Sequence, residues 1–395
     1  MIQSVNINEV NIIENGILNA FQVTAAGGNS PLLNQIFNGL NIPQVGVVNG
    51  STITGSQAVR QNTTLQAYLL TNNVGGFANF LAYNTFVTGV RGGLIKNGGL
   101  PANFVVANPQ FGTAALLGNF DNSTYNSFQV EANKRFQNGF QVQSSYVRSK
   151  TLGAYDGNTQ NEESSFITLR NEHLSKQLMS FDTPNVFKIS GVWELPFGHG
   201  RPVLGSSHGI VNHLVEKWQT AVIFNKQSGT PTTFGTSAGG TFNNVNTTDI
   251  ALGPLPSGSV QKVGNNVVYF SGLTQVQDPS VKLLPSNLQS LSTLYAIQGA
   301  NGQTILENPV PGQLGPLSPT SYRGLGSFTF NVQLSKAVTL SQEHNVTLRL
   351  RADALNILNR PIWGTPNLNI DSTSFGQITS ATGNRNIVLG ARVEF

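Results

Sequence analysis

The chain has 395 residues, only 10% of them Asp, Glu, Lys or Arg, against roughly 25% in ordinary soluble domains, and a formal net charge of +4. That surplus is dilute and contains no run of five basic residues, which excludes nucleic acid as a partner class. With no cysteine there is no disulfide framework, no Cys-ligated zinc, no thiol nucleophile and no CxxC redox pair.

Uncharged polar residues and 42 glycines fill the gap. Such a composition suits strands with one face in lipid and one in a wet lumen, and equally a secreted adhesin or sugar-binding sandwich. No run of apolar residues is long enough for a transmembrane helix. The opening MIQSVNINEVNII lacks a basic n-region, an apolar core and a cleavage site, so it does not read as a signal peptide. Met1 therefore reads as an internal start or a fragment edge.

In chain order, residues 1–120 form a loop-rich region. NEVNIIENGILNAF (8–21) begins a short helix, 27–60 is Gly-, Asn- and Pro-rich, and 61–90 is apolar without clean alternation, with room for one or two strands. Residues 121–395 carry period-2 strands. Over 125–136, Phe128, Val130 and Ala132 oppose Gln129, Glu131 and Asn133; over 140–150, Phe140 and Val142 oppose Gln141 and Gln143. Over 186–195, Phe187, Ile189, Trp193 and Leu195 alternate with Lys188, Ser190 and Glu194, while 217–227 is apolar on both faces in its middle. Over 327–337, Phe328, Phe330, Val332 and Leu334 share a face; over 345–355, Val346, Leu348, Leu350, Ala352 and Ala354 oppose Thr347, Arg349, Arg351 and Asp353. The chain ends NIVLGARVEF, where Ile387, Leu389, Ala391, Val393 and Phe395 make one apolar face. Each run has about the length that a tilted strand needs to cross a bilayer.

The connections alternate in length. QNG (137–139) and TLSQEHN (339–345) are short, and 196–217 is moderate, with a short helix after its Gly and Pro residues. The segments 151–185, 228–326 and 356–385 are far longer than ordinary loops. With the last strand ending in the periplasm, every short link falls on that side and every long one outside, as in bacterial outer-membrane barrels. The fold expected is thus all-β, an antiparallel transmembrane β-barrel of the outer-membrane type, incomplete, with long extracellular loops. The loop 228–326 has room for a further strand pair around NVVYFSGL (266–273).

Phe136, Phe140, Trp193, Phe197 and Trp218 bracket the short links as a periplasmic aromatic girdle would. Arg349, Arg351 and Asp353 alternate on the lumen face, where they either meet a plug or a polar solute or form ion pairs that stiffen the wall. His208 and His213, with Glu216, lack metalloprotease spacing and read as turn residues, as do His173, His199 and His344. GTSAGG (235–240) has no Lys and no following helix pattern, so it reads as flexible loop rather than a phosphate cradle. Asp156, Glu162 and Glu163 make either an acidic patch for a cation or a solvated loop. No catalytic constellation, metal site or cofactor site can be assembled, so no enzyme is expected.

These residues bear a family resemblance. DNSTYNSFQVEANKRFQNGFQVQSSYVRSKTL (121–152), FDTPNVFKISGVWELPFGHGRPVL (181–204), WQTAVIFNKQSGTP (218–231), LRLRADALNILNRPIWGTPN (348–367) and FGQITSATGNRNIVLGARVEF (375–395) resemble the C-terminal barrel of Oar-like TonB-dependent receptors. ENGILNAF (14–21) and GGLPANFVVANPQFG (98–112) match more loosely. The resemblance implies the C-terminal portion of a roughly 22-stranded barrel with an N-terminal plug, often preceded by a carboxypeptidase-regulatory-like domain. It implies as partners outer-membrane lipid, the barrel-assembly machinery reading the Ile387–Phe395 face, a TonB system engaged through an N-terminal part not present here, and an unknown ligand. The other function class is a secreted or surface all-β binding or adhesion protein. It differs in burying its apolar face in a core rather than showing it to lipid.

Overall fold

The computed structural model describes residues 3–118, 122–154, 168, 171–236, 250–255, 257–313, 315, 322–341, 343–344 and 346–395. The acidic patch Asp156, Glu162 and Glu163 and the glycines of GTSAGG beyond Thr236 lie outside these residues.

The first region departs from the loop-rich expectation. It holds six helices, α1 (Ile17–Ala25), α2 (Pro31–Phe37), α3 (Gly55–Gln61), α4 (Thr63–Leu70), α5 (Val74–Tyr83) and α6 (Gly93–Asn97). Their start signals are local: the side chains of Ser30, Thr54, Asn62 and Asn73 each accept a backbone N–H at the head of α2, α3, α4 and α5. Helices of 5–10 residues are marginal alone, and their stability comes from burial. Phe21, Ile36, Phe37, Leu69, Phe77 and Leu81 form the centre of one apolar core.

Seven strands follow where alternation placed them: β1 (Thr124–Gln137), β2 (Phe140–Gly153), β3 (Asn185–Glu194), then α7 (Gly209–Val215), β4 (Trp218–Gln227), β5 (Ser327–Ser341), β6 (Val346–Leu355) and β7 (Asn386–Glu394). They pair antiparallel in sequence order into one sheet, with a two-residue strand, Gln177–Leu178, added beside β2. The turn between β1 and β2 shows why QNG makes a tight hairpin. Asn138 and Gly139 both have positive φ, 53° and 74°, as a two-residue turn matched to strand twist requires.

The register keeps faces intact across the sheet. Leu348, Leu350, Ala352 and Ala354 sit opposite Val393, Ala391, Leu389 and Ile387. Val332 and Leu334 sit opposite Ala354 and Ala352 on one side, and opposite Val222 and Thr220 on the other. A slip of one residue would turn every apolar side chain to the opposite, polar face, so this agreement fixes the register. It also settles β4, whose middle was apolar on both faces. Trp218, Val222 and Phe224 share the outer face, leaving Ala221 and Ile223 on the inner one. The outer face is bare: Leu389 is 77% exposed and Ile387 59%. The sheet is open, with β1 and β7 as its edges among the described residues.

The described parts of the β4–β5 and β6–β7 connections are folded, and they fold together. Residues 281–294, from the β4–β5 connection, join the helical core through Val281, Leu284, Leu288 and Leu294. A second core combines Phe234, Tyr269, Phe270, Ile297 and Leu306 with Leu368, Ile370 and Ile378 of the β6–β7 connection. The strand pair expected around 266–273 is present as Gln261–Val263 against Asn266–Val268. Because the 3–118 segment enters β1 at the end opposite the Asn138–Gly139 turn, these cores form one cap at the long-loop end of the wall.

Candidate functional site

The wall has two unlike faces and the cap sits at one end, so the site is built from three parts. The outer face carries aromatic residues at two levels. Towards the short turns, Phe140 lies directly opposite Trp193, Trp218 starts the next strand, and Phe136 is exposed beside the turn. Phe197 lies past the end of β3 and, with Trp218 and the inner-register residues Gln219, Ser335 and Arg349, lines a cavity of about 470 Å³. Towards the cap, Phe224 packs edge-on against Phe187, Phe328 and Phe330, at centroid distances of 5.9, 5.1 and 6.2 Å. This upper cluster was not singled out from sequence, although each member lies on the apolar register. Six residues separate Trp218 from Phe224, roughly 20 Å of strand, which suits a lipid-facing band about 25 Å tall.

The outer register carries charges at Lys134, Arg148, Lys226 and Lys336, and of these Lys336 is buried. Lys336 sits opposite Trp218 and Leu350, is only 6% exposed, and holds its ammonium 5.1 Å from the Trp218 ring centroid. Its Nζ donates to the carbonyl oxygens of Leu214 and Glu216, each at 2.9 Å. A Lys costs roughly 2–4 kcal/mol at the bilayer midplane but little near the interface. Its place beside the short-turn end, against the C-terminal carbonyls of α7, satisfies that constraint.

The inner register carries Arg349, Arg351 and Asp353 and gives each a neighbour. Arg351 Nε lies 2.7 Å from Asp353 Oδ2, and Arg349 Nη2 lies 3.4 Å from Glu394 Oε2. Arg392 joins the same Glu394 at 3.8 Å. Glu131 accepts from Asn133 at 2.7 Å and from Gln143 at 3.0 Å. The arrangement is a row of exposed polar groups able to contact a solute or a plug, with its charges balanced along the wall. The apolar terminal face of β7 ends in Phe395, which is 97% exposed beyond the last paired residue. Among the histidines, His213 Nδ1 lies 3.3 Å from Glu216 Oε1, and the rings of His199 and His208 are 4.7 Å apart.

The cap is joined to the wall and to itself by buried polar contacts between residues far apart in sequence. The Asp182 carboxylate, on the β2–β3 connection, is fully buried. It accepts the Thr151 N–H at 2.5 Å and Arg323 Nη2 at 2.6 Å. In the second core, Asn308 Nδ2 donates to Asp278 at 3.1 Å, Asp371 at 3.0 Å and the Tyr295 carbonyl at 2.9 Å, and Asn308 Oδ1 accepts the Thr236 hydroxyl. Burial, helped by the charge of Asp278, holds the neighbouring Glu307 carboxyl above its ordinary pKa. Burial likewise pushes up the Tyr322 phenol, which also donates within hydrogen-bond reach of Tyr269. On the helical half, Phe37, Leu40, Leu65, Phe80, Phe86 and Leu94 line an apolar notch of about 180 Å³.

Comparison with known proteins agrees with this geometry. Residues 3–388 match the family model described as outer membrane beta barrel domain, which takes in the helical cap as well as the wall. No curated protein and no solved structure matches the chain.

Proposed function

Because the chain belongs to the outer membrane β-barrel domain family and lies in the outer membrane, we propose that it is the C-terminal wall and ligand-capturing cap of a TonB-dependent receptor or transporter. The observation that carries this reading is the folding of the 3–118 segment with the described parts of the β4–β5 and β6–β7 connections into one cap. The opposite end of the wall keeps short links. A pore that only admits solutes has little use for two hydrophobic cores outside the membrane; a receptor needs a shaped outer surface to capture its ligand. The ligand meets the cap first and then a polar inner wall. On this reading the chain is not an enzyme, and Arg349, Arg351 and Asp353 stiffen the lumen wall through their ion pairs.

The open edges support the larger barrel. In lipid every backbone group must be paired, so β1 and β7 require further strands, as a roughly 22-stranded closed wall would provide. The alternative, a secreted all-β binding protein, is disfavoured by the exposure of the apolar face, which a sandwich would bury. The test is the coding frame upstream of Met1. In-frame sequence for a TonB box, a plug and further alternating strands is the expected result; a stop codon and ribosome-binding site directly before Met1 would overturn the proposal.

On the same reading the Ile387–Phe395 face is the signal for barrel assembly, an aromatic-ended strand edge free to pair. Phe395→Ala in the full-length protein is expected to lower the heat-modifiable outer-membrane form several-fold. Unchanged assembly would make Phe395 merely the last lipid-facing residue.

A further inference from the structure

The α7 helix is mounted the wrong way round for a soluble surface. An amphipathic helix on a water-soluble protein turns its apolar stripe inward and its polar residues to solvent. Here the polar side faces the protein: Asn212 Oδ1 accepts the His199 N–H at 2.7 Å and the Ser207 hydroxyl at 3.1 Å, and its Nδ2 donates to Glu216 at 2.6 Å. Ile210, Val211 and Leu214 fall within one arc of the helix and point away from these contacts. They are 80%, 56% and 63% exposed.

The attachment of α7 gives the direction of that bare face. Glu216, Phe197 and His199 line a cavity that has Trp218 at its rim and opens on the inner-register residues Gln219, Ser335, Ala337 and Arg349, so the polar side of α7 looks towards the inner face. The C-terminal carbonyls of α7 are held from the opposite side. Trp218 Nε1 donates to the Leu214 carbonyl at 2.9 Å, and Lys336 Nζ donates to the same oxygen and to that of Glu216. Trp218 and Lys336 are neighbours on the outer, lipid-facing register of β4 and β5. The apolar arc of α7 therefore continues the lipid-facing wall beyond the strand ends, at the end carrying the short links, which in outer-membrane barrels is periplasmic.

We infer that α7 lies in the interfacial zone of the periplasmic leaflet, with Ile210, Val211 and Leu214 inserted among the acyl chains as an in-plane anchor, and with Trp218 and Lys336 fixing its depth. An amphipathic segment with an apolar face inserts at the boundary of headgroups and chains rather than spanning it. Indole and ammonium groups belong at the same level. This placement rests on the membrane location alone and holds whether or not the protein transports anything.

The chain contains no cysteine, so single cysteines introduced for spin labelling report one position each. The experiment uses the full-length protein in vesicles of phosphatidylethanolamine and phosphatidylglycerol, with nitroxides at Ile210→Cys, Leu214→Cys, His213→Cys and, as a wall reference, Leu350→Cys. Collision with oxygen is compared with collision with a water-soluble nickel chelate. Labels at 210 and 214 are expected to match 350, with an oxygen-to-nickel ratio several-fold above that at 213. Ratios at 210 and 214 equal to that at 213 would place α7 in water and overturn the inference. Exclusion of both reagents from 210 and 214 would overturn it as well, by showing a covering protein surface. Lys336→Met, judged folded by unchanged heat modifiability, is expected to sharpen the spectrum at 214 as the helix loses its anchor. An unchanged spectrum would remove Lys336 from the depth-setting pair.

Discussion

Asn308→Leu is expected to unfold the β core of the cap while the wall stays intact. The leucine has similar volume but no amide, so Asp278, Asp371 and the Tyr295 carbonyl lose a shared donor, and the Thr236 hydroxyl loses an acceptor. Asp278 keeps the Asn308 backbone N–H and the Ser280 groups, and Asp371 keeps the Tyr295 N–H. Two buried carboxylates are nevertheless brought together with fewer donors. At about 1.5–3 kcal/mol for each of the two bonds to a charged group, the loss is on the order of 3–6 kcal/mol. Hydrogen exchange reads it directly: amides of 274–277, 295–298 and 304–307 should lose protection, whereas those of β1–β7 should not. Equal protection before and after substitution would show that the hub is not what holds the core.

Arg323→Met is expected to loosen the junction between cap and wall by about 2–4 kcal/mol. Breaking a buried pair from one side strands a charge that has already left water, and that penalty exceeds what the pair contributed. Asp182 is the stranded group, left with the Thr151 N–H alone from the two bonds that now fix its carboxylate oxygens. The guanidinium is about one-third exposed, which places the effect below that of a fully buried pair. The thermal transition of the cap should fall by several degrees. Arg323→Met combined with Asp182→Ala should recover part of the loss, because the uncompensated carboxylate is then gone. Additive losses in the double variant would show that the two side chains act separately.

The wall was legible because its signal is local and repeated. Strand alternation has period two, and a strand in a membrane wall meets unlike solvents on its two sides, so six of the seven runs state their own face. The length of each link then states the end at which it lies. Where one strand was ambiguous, in Ala221–Ile223, no local feature could choose; the pairing with β3 and β5 did, because only one register keeps the apolar faces continuous. The lumen row Arg349, Arg351 and Asp353 followed from the same period.

Residues 1–120 read as a loop-rich region with a short helix and room for one or two strands, although the capping residues Ser30, Thr54, Asn62 and Asn73 stand in the sequence. Helices of two or three turns, separated by Gly- and Asn-rich turns, are too short to show a helical period. The aromatic level near the cap was visible in principle as Phe187, Phe224, Phe328 and Phe330, but their meeting depends on three strands lying side by side.

By itself, then, the sequence determined the wall: seven strands, the two faces of six of them, the end where the chain turns tightly and the end where it does not. Both the period and the link lengths are written in consecutive residues. Only the tertiary structure decided that the β4–β5 and β6–β7 connections join one cap, that Asp182, Asn308 and Lys336 find their partners 13 to 141 residues away, and that α7 carries its apolar side outward. Burial of short helices and pairing of distant polar groups depend on what the rest of the chain brings alongside, and no local pattern records that.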